Sequence, residues 1–314
     1  MILVLCKCVL GGGAAFSSPA KFGGLGGSGL KQWMIFGAGQ AGRALYKLLH
    51  SGKSPVIAFA DSNPSLWGKT WDGVPILPLE EAVRRRPSGI FLGIINRESC
   101  REVGGQLRRA GYDGPLYQVS QLQNRFHIRL ATLRLMAEEL ESRAVPGALA
   151  EMGVYQGEFA GEINRLLPDR KLYLFDTFEG FHQRDVEKER AENHSQAQQG
   201  DFSDTSVETV LGRMPHPEQV VLRKGRFPET ARGLEERFAL VSLDADLYLP
   251  MYEGLSYFYP RLNPGGYLLL HDYNSAQYQG AGQAARRYCE ENGIYLTPLC
   301  DIHGAAVLVK DGKR

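Results

Sequence analysis

Phe238-Ala-Leu-Val-Ser-Leu-Asp244-Ala-Asp246-Leu-Tyr248 and, further along, Gly265-Gly-Tyr-Leu-Leu-Leu-His271-Asp272-Tyr273 are two apolar runs that each end in acid. Short apolar runs bounded in this way read as buried strands. In a parallel α/β sheet the carboxyl ends of neighbouring strands form the binding crevice. Placed side by side, these strands bring Asp244, Asp246, His271 and Asp272 around one small volume. Clustered carboxylates repel one another unless something positive lies between them, and a hard divalent cation is the usual occupant.

Around this pair the chain alternates strand and helix. Strands are expected over 148–152, 171–175, 219–223, 238–243 and 266–270, and helices over 158–167, 204–213, 228–236, 250–261 and 280–292. Leu296–Cys300 and Ala305–Val309, joined by Asp301-Ile-His-Gly304, read as a closing hairpin. The alternation predicts an α/β fold with a doubly wound, seven-stranded sheet. Gly153 and Gly157, in Glu151-Met-Gly-Val-Tyr155-Gln-Gly157, let the chain turn sharply after the first strand. Asp176, at the end of the next strand, suits a ribose diol or caps a helix. The charged stretch from Gly180 to Ser203 reads as a lid over a substrate or as a solvated segment. Tyr248, Tyr252, Tyr273 and Tyr278 suit stacking on a ring, or core packing.

Towards the N-terminus, Trp33–Phe36 leads into Gly37-Ala-Gly39-Gln-Ala-Gly42, an amphipathic helix and the strand Val56–Ala60, which ends in Asp61. This is G-x-G-x-x-G between strand and helix, with an acid downstream. Its glycines admit a pyrophosphate to a helix N-terminus, and Asp61 suits ribose hydroxyls. Only four strands (33–36, 56–60, 90–95 and 115–119) are expected before residue 120, one mononucleotide-binding half. Such a half holds a nucleotide or nucleotide-sugar, serves only docking or dimerisation, or supports NAD chemistry. Leu122, Phe126, Leu130, Leu133 and Leu140 predict one helix over 122–143, with Arg and Glu between the apolar positions. The expected division is a disordered leader over 1–30, a smaller Rossmann-like nucleotide-binding domain over 31–121, a connector over 122–144 and a final domain over 145–314.

The 314 residues carry a formal net charge of +1, which gives no preference for nucleic acid or membrane. The odd, scattered set of five cysteines fits reduced thiols in the cytoplasm. No stretch reaches the ~18 apolar residues of a membrane span. An exposed Rossmann half and a long helix leave room for a homodimer.

Five motifs, in order, carry a resemblance: Glu151–Gly157, Asp176-Thr177-Phe178-Glu-Gly-Phe181, Lys224-Gly-Arg-Phe-Pro-Glu-Thr230, Leu243–Tyr248, and Pro264-Gly-Gly leading to His271-Asp272-Tyr273. Together they resemble the macrocin O-methyltransferase (TylF-type) family, class I S-adenosylmethionine (SAM) methyltransferases, over residues 145–314. The N-terminal lobe is a departure from that family's core. The resemblance implies methyl transfer from SAM to a hydroxyl of a small-molecule acceptor, a sugar, glycoconjugate precursor or other diol, with Mg²⁺ or another divalent metal. It implies SAM binding by Glu151, Gly153, Tyr155, Gly157, Asp176, Thr177, Phe178 and Asp244. Asp244 and Asp272 become metal ligands. His271 is a third ligand or a hydrogen-bonding partner of the acids. Asp246 becomes the general base, against a simpler role as a helix N-cap. The rival functions are an NAD(P)-dependent oxidoreductase using the Gly37–Gly42 loop and a non-catalytic nucleotide- or SAM-binding protein.

Overall fold

Two sheets organise the computed structural model, which describes residues 31–50, 54–119, 121, 127–302 and 304–312. The expected leader and the first turns of the expected 122–143 helix lie outside the described residues. Residues Lys31–Arg314 group as one compact unit.

The first sheet contains β1 (Trp33–Phe36), β2 (Val56–Ala60), β3 (Thr70–Trp71), β4 (Val74–Leu77), β5 (Gly89–Leu92) and β6 (Leu116–Gln118), in the order β3-β4-β2-β1-β5-β6. All pairings but β3–β4 are parallel. It is wider than the four strands expected. The additional pair turns through Asp72 (φ 51°) and Gly73 (φ 75°), the left-handed conformations that a tight two-residue hairpin requires. Strands this short show no readable alternation. Helices α1 (Gln40–Leu49), α2 (Leu79–Arg84) and α3 (Arg97–Arg109) cover the sheet. At the start of α1 the glycines have different tasks. A Cβ on Gly42 would lie 1.8 Å from the Gly37 carbonyl oxygen, whereas one on Gly39 would meet nothing within 4 Å.

The second sheet contains β7 (Ala148–Met152), β8 (Leu172–Asp176), β9 (Val220–Lys224), β10 (Phe238–Leu243), β11 (Leu262–Leu270), β12 (Thr297–Pro298) and β13 (Ala306–Val309). Its order is β12-β13-β11-β10-β7-β8-β9, with β13 antiparallel to both neighbours. The seven strands and the closing hairpin are therefore as expected. The helices are α4 (Ile128–Ser142), α5 (Glu158–Leu166), α6 (Gln183–Ala191), α7 (Val207–Leu211), α8 (Tyr248–Phe258) and α9 (Gln279–Asn292). One sheet face packs Val241, Leu243, Leu268 and Leu270 against α8 and α9. The other packs Leu149, Leu240 and Leu269 against α4 and α5. Burial on both faces explains why the central strands read as unbroken apolar runs.

Two local expectations change. The helix expected near 228–236 is a single 3₁₀ turn, Glu229–Ala231. The charged insertion, read as a lid or a solvated segment, contains an unexpected helix, α6, and lines a cavity through Phe181, His182, Asp185 and Phe202. Asp185 pairs with Arg226 at 2.8 Å, both largely buried, and the Glu189 carboxylate accepts the Tyr248 N–H at 2.9 Å. That carboxylate thus serves the N-terminus of α8, where charge and open N–H groups favour an anion.

Candidate active site

The carboxyl ends of β7, β8, β10 and β11 open into one cavity of about 680 Å³. Glu151, Gly153, Tyr155 and Asp176 line one side, and Asp244, Asp246, His271 and Asp272 another. The first sheet's lobe adds Gln40, Ala41 and Ile95 to the wall. The sheet thus brings the acid cluster and the first-loop residues together, although they are distant in sequence.

Parallel register does this work. Ser242 pairs with Glu151 across β10 and β7, and Leu243 with Leu270 across β10 and β11. Asp244 and His271 therefore emerge side by side. Their loops are tied to the sheet by Asp244 N–H to Met152 C=O and His271 N–H to Leu243 C=O. Gly153 (φ +81°) lies so close to Asp244 that a Cβ would come within 1.8 Å of its carbonyl oxygen. Only glycine lets the first loop sit against the acid loop. Strand alternation does not place Asp246, because β10 ends at Leu243; Asp246 and Asp272 both adopt left-handed conformations, at φ 53° and 54°. Nor is Asp246 the cap of α8, whose N-cap is Leu247.

Asp244, His271 and Asp272 each offer a ligand atom, all within 4.8 Å of one another. His271 Nδ1 lies 2.9 Å from Asp244 Oδ1 and pairs with Asp272 Oδ2. Burial and Arg129 lower the His271 pKa, but Asp244 and Asp272 together outweigh them and raise it to about 10. Burial raises the Asp244 pKa, yet His271 and Arg129 hold it well below the usual carboxylate range. Asp246 is pushed well above that range, by burial first and then by Asp272 and Asp244.

Arg129, from α4, escaped the sequence reading. It is only 7 % exposed and donates from Nη1 to Asp244 Oδ2 at 3.0 Å. Its guanidinium lies 3.8 Å from the centre of the Phe159 ring. Nη2 is 3.5 Å from Ser242 Oγ and 3.9 Å from Glu151 Oε1. Glu151 is 1 % exposed, accepts from Ser242 Oγ at 3.2 Å and has no partner for Oε2. Burial raises its pKa to about 8. The available signal was spacing, since Arg129 falls on the buried stripe of α4 with Leu133, Met136, Ala137 and Leu140.

Asp176 closes the neighbouring loops. Its Oδ2 accepts the N–H groups of Val154 at 2.7 Å and Tyr155 at 3.0 Å, and its Oδ1 that of Phe178 at 2.7 Å. Tyr155 and Phe178 are left-handed, and Thr177 Oγ1 donates to the Gly180 carbonyl at 2.8 Å. Gly157 (φ +81°) is the N-cap of α5. Of the four tyrosines singled out, Tyr278 lines the cavity. Tyr248, Tyr252 and Tyr273 are packed against His194, Tyr288 and Arg286 respectively. In the first lobe, Asp61 accepts the Ala38 N–H and the Asn63 N–H, both at 2.8 Å. It ties the glycine loop to the turn that follows β2.

A seven-stranded sheet with an antiparallel closing strand, and a first-loop cavity at its carboxyl edge, defines a class I SAM-dependent methyltransferase. The model of the macrocin O-methyltransferase (TylF) family matches residues 94–311, and the chain belongs to that family of SAM-dependent O-methyltransferases. The match begins well before the 145–314 span that the motifs mark. A tetracenomycin relative, 8-demethyl-8-(2,3-dimethoxy-alpha-L-rhamnosyl)-tetracenomycin-C 4'-O-methyltransferase of Streptomyces olivaceus, is 27 % identical over 190 residues, 57 % of this chain and 71 % of that protein. Mycinamicin III 3''-O-methyltransferase of Micromonospora griseorubida is 28 % identical over 206 residues, 60 % of this chain and 77 % of that protein. The solved O-methyltransferase NovP aligns with a TM-score of 0.48 at 22 % identity, covering 59 % of this chain and 80 % of NovP. Among the described residues, no helix is long and apolar enough to cross a membrane.

Proposed function

We propose that the protein methylates a hydroxyl of a sugar or other small diol-containing metabolite, with a divalent metal at the acid cluster and Asp246 as general base. One observation carries this reading: the first-loop residues and the acid cluster line the same cavity. A donor must meet an acceptor hydroxyl in such a space. One relative is named for 4'-O-methylation of a rhamnosyl-bearing tetracenomycin and another for 3''-O-methylation of mycinamicin III, which supports a sugar-bearing acceptor.

The donor set fits a metal. Two carboxylates and an imidazole converge within 4.8 Å, and positive charge among them would relieve the upward push that Asp272 and Asp244, after burial, exert on the Asp246 pKa. Asp244 and Asp272 would hold Mg²⁺ or another divalent ion, and His271 would join them only on releasing its proton, its nitrogen favouring a softer metal. A divalent cation there would supply Lewis-acid polarisation of an acceptor hydroxyl, and SAM would supply the methyl group from its sulfonium, leaving as the neutral thioether. Asp246 takes the proton that the hydroxyl loses. Glu151, Gly153, Tyr155, Asp176, Thr177 and Asp244 face SAM from the cavity wall, with Gly157 and Phe178 outside that wall in the loops that shape it; the cationic portion of SAM would draw Glu151 into its ionised form, and the remaining lone pairs of Asp176 suit its ribose. Positioning of two reactants supplies much of the rate.

In the same reading, residues 31–121 form a domain whose Gly37, Gly39, Gly42 and Asp61 hold a nucleotide. The open space over Gly39 supports this. A cytoplasmic setting accords with the free thiols of Cys100, Cys289 and Cys300. A homodimer is testable by sedimentation.

Calorimetric titration with SAM, and separately with NAD(H), each with Mg²⁺ and with EDTA, tests the proposal. SAM binding with an Mg²⁺-dependent second event is expected. NAD binding without SAM binding would overturn it and make the first lobe catalytic.

A further inference from the structure

The geometry points to Arg129 as a positioning residue that fixes Asp244 as a one-oxygen ligand and so sets the affinity of the acid cluster for a divalent cation. This inference rests on the metal reading above.

The guanidinium is held on several sides before it meets the acid. The Phe159 ring lies 3.8 Å beneath it, Ser242 Oγ is 3.5 Å from Nη2, and Glu151 Oε1 is 3.9 Å away. Phe159 precedes Ala160 and Ile163 on α5, which pack into the same face of the sheet as α4. Ser242 and Glu151 are neighbours in register on that face. The Arg129 plane is thus located by three elements of the fold, α5, β7 and β10, and delivered by a fourth, α4. A planar guanidinium so fixed offers donors in one set of directions, which a lysine ammonium does not. Its Nη1 takes Asp244 Oδ2 at 3.0 Å. The other oxygen, Oδ1, is left facing His271 Nδ1 at 2.9 Å, inside the cluster. A carboxylate tied at one oxygen presents the other to a cation. Partners of this kind orient metal ligands, and their loss typically weakens metal binding about 10- to 100-fold.

Charge alone predicts the opposite. A buried cation next to the cluster repels a divalent ion, so its removal would tighten binding. The sign of the change therefore separates positioning from charge.

The test is Mn²⁺ titration of the full-length protein, with free Mn²⁺ read by electron paramagnetic resonance. Wild type, Arg129→Met, Arg129→Lys, Phe159→Leu and the ligand control Asp272→Asn are compared, with thermal melts on each. Arg129→Met is expected to weaken Mn²⁺ binding about 10- to 100-fold. Arg129→Lys should recover part of the loss. Phe159→Leu keeps the charge but removes the platform, and should weaken binding in the same direction. It carries the test should Arg129→Met fail to fold. Binding in these variants that is unchanged or tighter overturns the proposal, even where the melting temperature falls, because a merely structural role would do only the latter. A wild type without an Mn²⁺ site that Asp272→Asn abolishes overturns the metal reading and this inference together. A normal wild-type site with unaffected variants overturns this inference alone.

Discussion

Asp246 and Glu151 are both carboxyl groups kept partly neutral by the fold, for different reasons. Asp246 is raised by burial and by two neighbouring acids, Glu151 chiefly by burial. The difference matters, because Asp246 is pushed by both proposed carboxylate ligands, Asp272 and Asp244, and Glu151 by Asp244 alone of the two. Asp246→Asn should lower kcat by about 10²- to 10⁴-fold, the usual worth of a general base. SAM affinity, read by calorimetry, should be retained. Full turnover in that variant would sink the base assignment. Glu151 provides a pH test. Its carboxyl titrates near ~4.3 in an unfolded chain and is raised to about 8 in the fold, so its neutral form is the one the fold favours. The stability it contributes is present below ~4.3 and is lost as pH rises through about 8. Glu151→Gln keeps the neutral shape. Its melting temperature relative to wild type should therefore climb between pH 5 and pH 9, and parallel curves would count against the assignment.

At the level of elements, the short distances lie where loops meet strands. The α1 glycines show how one motif divides its tasks. Gly42→Ala would drive a methyl group into the Gly37 carbonyl, and we expect a loss of about 1–3 kcal/mol in denaturant melts. Gly39→Ala meets open space and should stay within about 0.5 kcal/mol. Equal effects would show that the glycines do not act as these distances imply. The longer strands and helices were legible because each has a repeated local pattern. Apolar runs ending in acid announced β10 and β11, and the spacing of Leu133 and Leu140 announced α4. β3 and β4 were not legible, being too short to have a period. Nor was α6, whose sequence is strongly polar and whose place depends on Arg226 and on the open N-terminus of α8.

Across the whole molecule, the two lobes meet at the edge of the cavity. Gln40, at the start of α1, accepts the Ala276 N–H at 2.8 Å and donates to the Ile302 carbonyl at 3.4 Å. Ala276 belongs to the loop that follows Asp272, so the first lobe braces the chain carrying a proposed metal ligand. Gln40→Ala should speed hydrogen exchange across residues 272–278 while leaving SAM affinity unchanged. Unaltered exchange there would show that the bracing is not needed. Sequence alone determined the doubly wound class of the second sheet, its seven strands and the identity of the acids. Those follow from short-range periodicity and from charge at strand ends, which neighbouring residues decide. Tertiary structure alone decided that Arg129 is buried beside Asp244, that Asp246 reaches the cluster through a left-handed turn, and that Gln40 borders the same cavity. Each depends on which face of an element docks against a distant one, and a local pattern holds no record of that partner.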